Sequence, residues 1–277
     1  MPSIRLVMLG MLLWVPQAWA ELHSGDTGVS EQCFVLQWQE SAAIAALFDK
    51  AGVTGTFAML DPQEKRLVGF DHRRVKQRFV PASSFKVAHT LIGLHAQAVT
   101  SVDEVLPWDR SPQPFPGWEQ DMSLRQAIAV SNAAIYQQLA RRIGPEVMQR
   151  ELNRLGYGNA DIGSEVDRFW LDGPLQISLL EQLRFLTALA QQRLPYRPSS
   201  QADVREIIAQ PAPPGVALFA KSGWENAPGP GVGWWVGWVE KDGKVYAFGM
   251  NMDIQSPDQA AQREALARAS LSLLGLL

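Results

Sequence analysis

The sequence predicts an α+β fold: an antiparallel sheet formed from both chain ends, flanked by helices, with a mainly helical lobe inserted between. Three observations carry this expectation. Strand pairs with turn signals lie at 54–70 and at 215–254. Helical periodicity and helix caps dominate the stretch between, about 83–205. Neither internal repeats nor a long low-complexity linker interrupts the chain, so strands at both ends enclose helices in the middle. The sheet lobe is expected at about 21–82 and 206–277, and the helical lobe at about 83–205.

The first twenty residues stand apart. A basic start ends at Arg5, an apolar run occupies 6–15, and Ala18-Trp19-Ala20 supplies small residues at a cleavage point. This is the pattern of a secretory signal peptide, too short for a permanent membrane span. Residues 21–277 are therefore expected as a single exported domain, with no membrane attachment after cleavage. A composition of 47% hydrophobic and 19% charged residues is that of a globular protein. A formal net charge of −3 argues against nucleic acid or an anionic membrane as partner. The single cysteine, Cys33, excludes an intrachain disulfide and reads as a half-buried apolar side chain.

In chain order, "ESAAIAALFDKAG" at 40–52 has helical spacing and ends in glycine. "TGTFAML" and "RLVGF" flank the turn-rich "DPQEK" as a hairpin. In the middle, Ser123 with Gln126 and Ser178 with Glu181 form capping boxes that open apolar-periodic runs. Gly144 ends another helix. Towards the C-terminus, "GVALFAKSG" reads as a strand, and "GWWVGWVE" and "KVYAFGMNMDI" flank Asp242-Gly243, a tight-hairpin signal. The last helix is expected to start at Ser256, with Gln259 completing a capping box and Pro257 at the first helical position.

The stretch "PASSFK" at 81–86 carries the chemistry. Ser83 and Lys86 stand three residues apart at the start of an apolar helix, so their side chains are neighbours. The helix N-terminus favours a developing anion at Ser83, and a serine hydroxyl becomes nucleophilic once a base takes its proton. Taken alone the tetrapeptide also suits an N-cap serine and a snorkelling surface lysine. Ser84 is a weaker nucleophile candidate, having Val87 three residues on. Downstream, "KSG" (Lys221, Ser222, Gly223) follows a strand, and Ser131 lies at a junction of two helices. S-x-x-K with K-[ST]-G is a signature of serine acyl-transferases that react with penicillins.

Other constellations are set aside. His23, His72, His89 and His95 form no histidine–acid–serine pattern, and His89 reads as a satisfied core or edge residue. No metal-ligand spacing appears. Glu151 reads as part of a solvated helix face. Trp234, Trp235 and Trp238 read as sheet packing rather than a carbohydrate platform.

Together these motifs resemble those of the class D (oxacillinase-type) β-lactamases, within the penicillin-recognising serine transferase fold. The matching stretches are "PASSFK", "VSN" around Ser131, "YGN" at 157–159, "FWLDGPLQIS" around Trp170, "KSGW" at 221–224 and "GWWVGWVE", in the family's order and over nearly all of the exported chain. The resemblance implies hydrolysis of penicillin-type β-lactams through a Ser83 acyl-enzyme. It implies that CO2 carboxylates Lys86 into a general base, with no dissociable cofactor and no metal. It further implies that Trp170 donates to the carboxylated lysine, that Phe85, Val130 and Leu171 wall its pocket, and that Ser131 protonates the β-lactam nitrogen. Backbone N–H groups of Ser83 and Trp224 are implied as the oxyanion hole, Lys221, Ser222, Gly223 and Arg263 as the carboxylate-binding side, and Lys221 also as a catalytic residue that supports proton transfer. One departure bears on substrate range: the family's S-x-V is Ser131-Asn132-Ala133 here. A cell-wall peptidase and a penicillin sensor would acylate the same serine, and only release by water separates them from a hydrolase. Monomer and homodimer are equally open.

Overall fold

The computed structural model of the protein describes residues 36–277; the expected signal segment, His23 and Cys33 lie outside the described residues. Along the chain, β1 (Gln37–Glu40) leads through α1 (Ala42–Ala51) into β2 (Gly55–Asp61) and β3 (Arg66–Phe70). A short helix α2 (His72–Lys76), strand β4 (Arg78–Phe79) and a 3-10 turn at Ala82–Phe85 deliver α3 (Lys86–His95). The helical lobe continues through β5 (Val105–Leu106), β6 (Met122–Ser123), α4 (Leu124–Ala129), α5 (Ala133–Ile143), α6 (Pro145–Leu155), β7 (Ile177–Ser178), α7 (Leu179–Ala190) and α8 (Pro198–Ile207). The chain returns through β8 (Ala209–Gln210), β9 (Val216–Trp224), β10 (Gly231–Lys241) and β11 (Lys244–Ile254), and ends in α9 (Gln262–Leu273).

The sheet order is β1-β3-β2-β11-β10-β9-β8, so strands from the two chain ends meet where β2 pairs with β11. The Asp242-Gly243 hairpin forms as its sequence demands, both residues being left-handed at φ 51 and 71. Strand alternation sorts the tryptophans of β10. Trp234 and Trp238 join the core under the helical lobe, whereas Trp235 joins the core on the other face, beneath α1 and α9. Both faces of the sheet are thereby covered, and all three rings are packing residues.

The structure departs from the sequence reading in several places. The edge strand β1 pairs parallel to β3, so the sheet is not purely antiparallel. α1 and β2 separate these strands in the chain, and no hairpin constrains their direction. The capping boxes at Ser123 and Ser178 form, but the one expected at Ser256 does not. Residues Pro257–Ala261 are a 3-10 turn, Ser256 makes no side-chain cap, and Gln259 Oε1 instead accepts from Gln255 N at 2.7 Å. The helical lobe is also interrupted by irregular stretches at 96–121 and 156–176, apart from β5 and one 3-10 turn. The first contains the proline-rich "SPQPFPG", which cannot sustain a helix.

Glu151 is not on a solvated face: it is 2% exposed. Its Oε1 accepts from Arg150 Nε at 3.1 Å, and its Oε2 from the Tyr196 hydroxyl at 3.1 Å and Arg154 Nη1 at 3.5 Å. The helix pattern concealed this because the cover comes from Tyr196, on the segment between α7 and α8. Among the described residues no helix is long and apolar enough to cross a membrane.

Candidate active site

The turn before α3 is held on several sides. Trp234 Nε1 donates to Val80 O at 2.9 Å. Ser84 Oγ donates to Pro81 O at 2.7 Å and accepts from Gln182 Nε2 at 2.8 Å, which commits that hydroxyl to structure. Gly223 of β9 lies so close that a Cβ there would stand 2.8 Å from Pro81 O and 3.1 Å from Ser84 N. Ala82 is left-handed at φ 48, a conformation that costs a non-glycine residue about 1–3 kcal/mol and persists where its surroundings enforce it. Of Ala82, Ser83, Ser84 and Phe85, only Ser83 is not buried.

Lys86, the first residue of α3, is 0% exposed. Its Nζ donates to Ser83 Oγ at 2.8 Å and stands 5.1 Å from the Tyr136 ring centroid. Burial, and secondarily the like charge of Lys221, hold its pKa well below the ordinary lysine value. A second serine–lysine pair faces the first. Ser131 sits at φ 61 in the turn between α4 and α5, and its Oγ accepts from Lys221 Nζ at 2.6 Å. Lys221 also donates to Ser222 O at 2.9 Å and to Ser222 Oγ at 3.2 Å. Burial, with Arg263 adding to it, pushes the Lys221 pKa down to about 7.

A cleft of about 670 Å³ joins the two pairs. Ser83, Ser131, Ser222, Gly223, Trp224 and Arg263 all border it, while Lys86 and Lys221 lie beneath its floor. Arg263 is tied to the end of β9: its Nη1 donates to Gly223 O, and its guanidinium carbon stands 5.7 Å from the Trp224 ring centroid. Burial lowers its pKa to about 10.

The residues expected to wall Lys86 divide. Val130 and Leu171 border the open cleft, and Val130 is 50% exposed. Phe85 does not reach the cleft; it is fully buried among the rings of His89, Tyr157, Phe169 and Trp170. Trp170 is fully buried, and its Nε1 has no hydrogen-bond partner. His89 is buried but not satisfied, since neither ring nitrogen has a partner. Among the described residues, no cluster of three or more His, Cys, Asp and Glu could hold a metal ion.

Two contributions escaped the sequence reading. Asn132 caps α5, its Oδ1 accepting from Ile135 N at 3.3 Å, while its Nδ2 donates to Trp118 O at 3.1 Å. An asparagine directly before an apolar helical run was the available signal. The "YGN" motif is structural. Asn159 Nδ2 donates to Pro174 O at 2.8 Å and its Oδ1 accepts from Gln176 N at 2.9 Å, clasping the segment that follows Trp170.

Fold and site define a penicillin-binding transpeptidase-type domain, and the chain matches the penicillin binding protein transpeptidase domain over residues 49–272. The β-lactamase OXA-5 of Pseudomonas aeruginosa is 36% identical over 233 residues, 83% of this chain and 87% of its own. The β-lactamase OXA-2 of Salmonella typhimurium is 37% identical over 228 residues, 81% of each chain. The crystal structure of FUS-1 (OXA-85), a class D β-lactamase from Fusobacterium nucleatum subsp. polymorphum, aligns with a TM-score of 0.82 at 38% identity, covering 86% of this chain and 100% of that one. The chain belongs to the class D β-lactamases, which are serine hydrolases.

Proposed function

We propose that this enzyme opens the β-lactam amide of penicillin-type antibiotics through an acyl-enzyme on Ser83, with Lys86 supplying the general base, and thereby confers resistance. The observation that carries the reading is the 2.8 Å contact between Lys86 Nζ and Ser83 Oγ in a site where burial lowers the lysine pKa and so favours the neutral amine. Only a neutral amine reacts with CO2; the N–C bond forms, the nitrogen loses a proton, and a carbamate results. Carboxylated in this way, Lys86 would be an anionic base for both acylation and deacylation. The surroundings fit such a group, because the buried Trp170 Nε1–H is a donor with no acceptor of its own.

The remaining roles follow from position. Ser83 Oγ gives up its proton and attacks the lactam carbonyl carbon, whose oxygen gathers charge against the backbone N–H groups of Ser83 and Trp224. The C–N bond then breaks, and Ser131 Oγ passes its proton to the leaving nitrogen. Lys221 Nζ, 2.6 Å away, restores that proton. A pKa of about 7 keeps both of its protonation states populated near neutrality. Ser222 and Arg263 hold the substrate carboxylate at the Gly223 end of the cleft. Water then cleaves the Ser83 ester. The signal-like start of the chain supports export to the periplasm, where such substrates are met.

Mass spectrometry during turnover of a chromogenic cephalosporin tests the assignment. The parent should turn over, Ser83→Ala should form no adduct, and Lys86→Ala should accumulate any adduct it forms. Bicarbonate should restore parent activity after incubation at low pH. Equal steady-state turnover by Lys86→Ala and the parent defeats the base assignment. A parent that stays acylated is a sensor or an inhibited peptidase, not a hydrolase.

A further inference from the structure

The helix that carries Lys86 also carries His89, fully buried, with neither Nδ1 nor Nε2 hydrogen-bonded. Residues three and four apart on a helix are neighbours, and helical side chains lean over the preceding turn. The His89 ring accordingly stands 5.2 Å from the Phe85 ring. It meets Trp170 at 4.9 Å and 71°, and Tyr136 at 5.3 Å and 62°. The same Tyr136 ring faces Lys86 Nζ at 5.1 Å. Lys86, His89 and Trp170 are therefore linked through ring contacts within one buried region.

The hydroxyls near this region are already engaged. Thr90 Oγ1 donates to Lys86 O at 2.8 Å and shares a hydrogen bond with the Tyr136 hydroxyl at 2.7 Å. The nitrogens of His89 and Trp170 are left without partners in the region that also buries Lys86, a lysine with no partner carboxylate among the described residues. Three unpartnered polar atoms in the region of a buried amine are a poor solution for packing alone, since a leucine would avoid their desolvation. Burial is the main cause that holds the imidazole well below its usual pKa, and it favours the neutral ring, which presents one N–H and one lone pair.

The geometry points to His89 as a positioning residue for the carboxylated form of Lys86: His89 and Trp170 supply two N–H donors, one for each oxygen of a carboxyl group on Nζ, and so set how firmly CO2 is retained. This rests on the reading of Lys86 given above. CO2 is the only co-reactant, its carbon bonding to Nζ while the displaced proton leaves to solvent.

The test is uptake of 13C-bicarbonate at Lys86, read as the carbamate carbon resonance absent from Lys86→Ala, together with thermal midpoints in CO2-depleted and bicarbonate buffers. His89→Leu should need about tenfold more bicarbonate for half-occupancy, the loss expected for one hydrogen bond to a charged group. Without CO2 it should be at least as stable as the parent, and bicarbonate should raise its midpoint less. His89→Asn, which keeps an N–H, should stay within about threefold of the parent if one donor suffices. Should His89→Leu fail to fold, His89→Met is read by the same criterion. Parent-like half-occupancy in the apolar variant overturns the role of His89, as does an equal loss in His89→Asn and the apolar variant. A parent that takes up no label sinks the carboxylation reading along with this one, so the two failures are told apart.

Discussion

Asn132 and Trp118 hold each other's segments. Asn132 Nδ2 donates to Trp118 O at 3.1 Å, and Trp118 Nε1 donates to Val130 O at 3.0 Å. The residue after Ser131 thus caps α5 and fastens the 113–118 stretch as a wall of the cleft, where Phe115 packs on Trp118 at 4.8 Å. At Ser131-Asn132-Ala133 the amide in the middle position is fully buried and ties the 113–118 stretch to the Ser131 turn.

Asn132→Ser keeps an N-cap acceptor but loses the reach to Trp118 O. Losing one hydrogen bond of about 1 kcal/mol should raise KM about fivefold for β-lactams with bulky acyl side chains. The effect on compact ones should be smaller. Steady-state kinetics on one substrate of each kind decide it, and an equal change in both would show that the latch does not shape the acyl-side wall.

Lys221 gives a pH dependence to stability. Its folded pKa is about 7, against about 10.4 for an unfolded lysine. Between these values the unfolded chain binds more protons, so this residue's contribution to stability rises with pH and is least favourable below the folded value. Lys221→Met removes the titration. The stability of Lys221→Met relative to the parent should therefore fall as pH rises from 7 to 9, by up to about 1.4 kcal/mol per pH unit. Urea midpoints across that range measure it; a constant difference would mean that Lys221 does not titrate there.

Gly223→Ala should damage the Ser83 turn directly. Its new Cβ would press on backbone atoms, Pro81 O at 2.8 Å and Ser84 N at 3.1 Å, so β9 and the turn must move apart. The expected result is an acylation rate lower by about tenfold or more, with about 1–3 kcal/mol of lost stability from overpacking. Single-turnover acylation and chemical denaturation report the two effects. Parent-like acylation would show that the spacing of β9 from the turn is not critical.

Glu151→Gln separates stability from activity. Glu151 is 2% exposed, while the side chains of Arg150 and Arg154 are 64% and 41% exposed. Water can therefore take over much of the arginines' hydration, and the loss should be about 1 kcal/mol rather than that of a wholly buried pair. Denaturant midpoints should fall while kcat/KM holds. A drop in kcat/KM at unchanged stability would mean that α6 communicates with the cleft.

Much of the fold was legible because its signals are local. Asp242-Gly243 encodes its hairpin through two adjacent left-handed residues, and Ser123 and Ser178 encode helix starts through partners three residues away. Ser256 shows the limit of such a signal: the same spacing is present, but Gln259 turned to Gln255 N in a 3-10 turn. The candidate site was legible as three short motifs. Asn132 and Glu151 were not, because their decisive partners, Trp118 and Tyr196, come from irregular segments without a periodic pattern.

By itself, the order of residues determined the neighbours along the helix, Ser83 beside Lys86, and the spacing of the lysine, serine and glycine on β9, since helix and strand repeats fix these distances within a few residues. Only the folded chain decided that β9 closes on the Ser83 turn, that Lys221 reaches Ser131 at 2.6 Å, and that Lys86 is sealed from water. The physical reason is desolvation. A lysine's charge state depends on which atoms surround it, and those around Lys86 come from distant segments that meet only when the sheet and the helical lobe pack together.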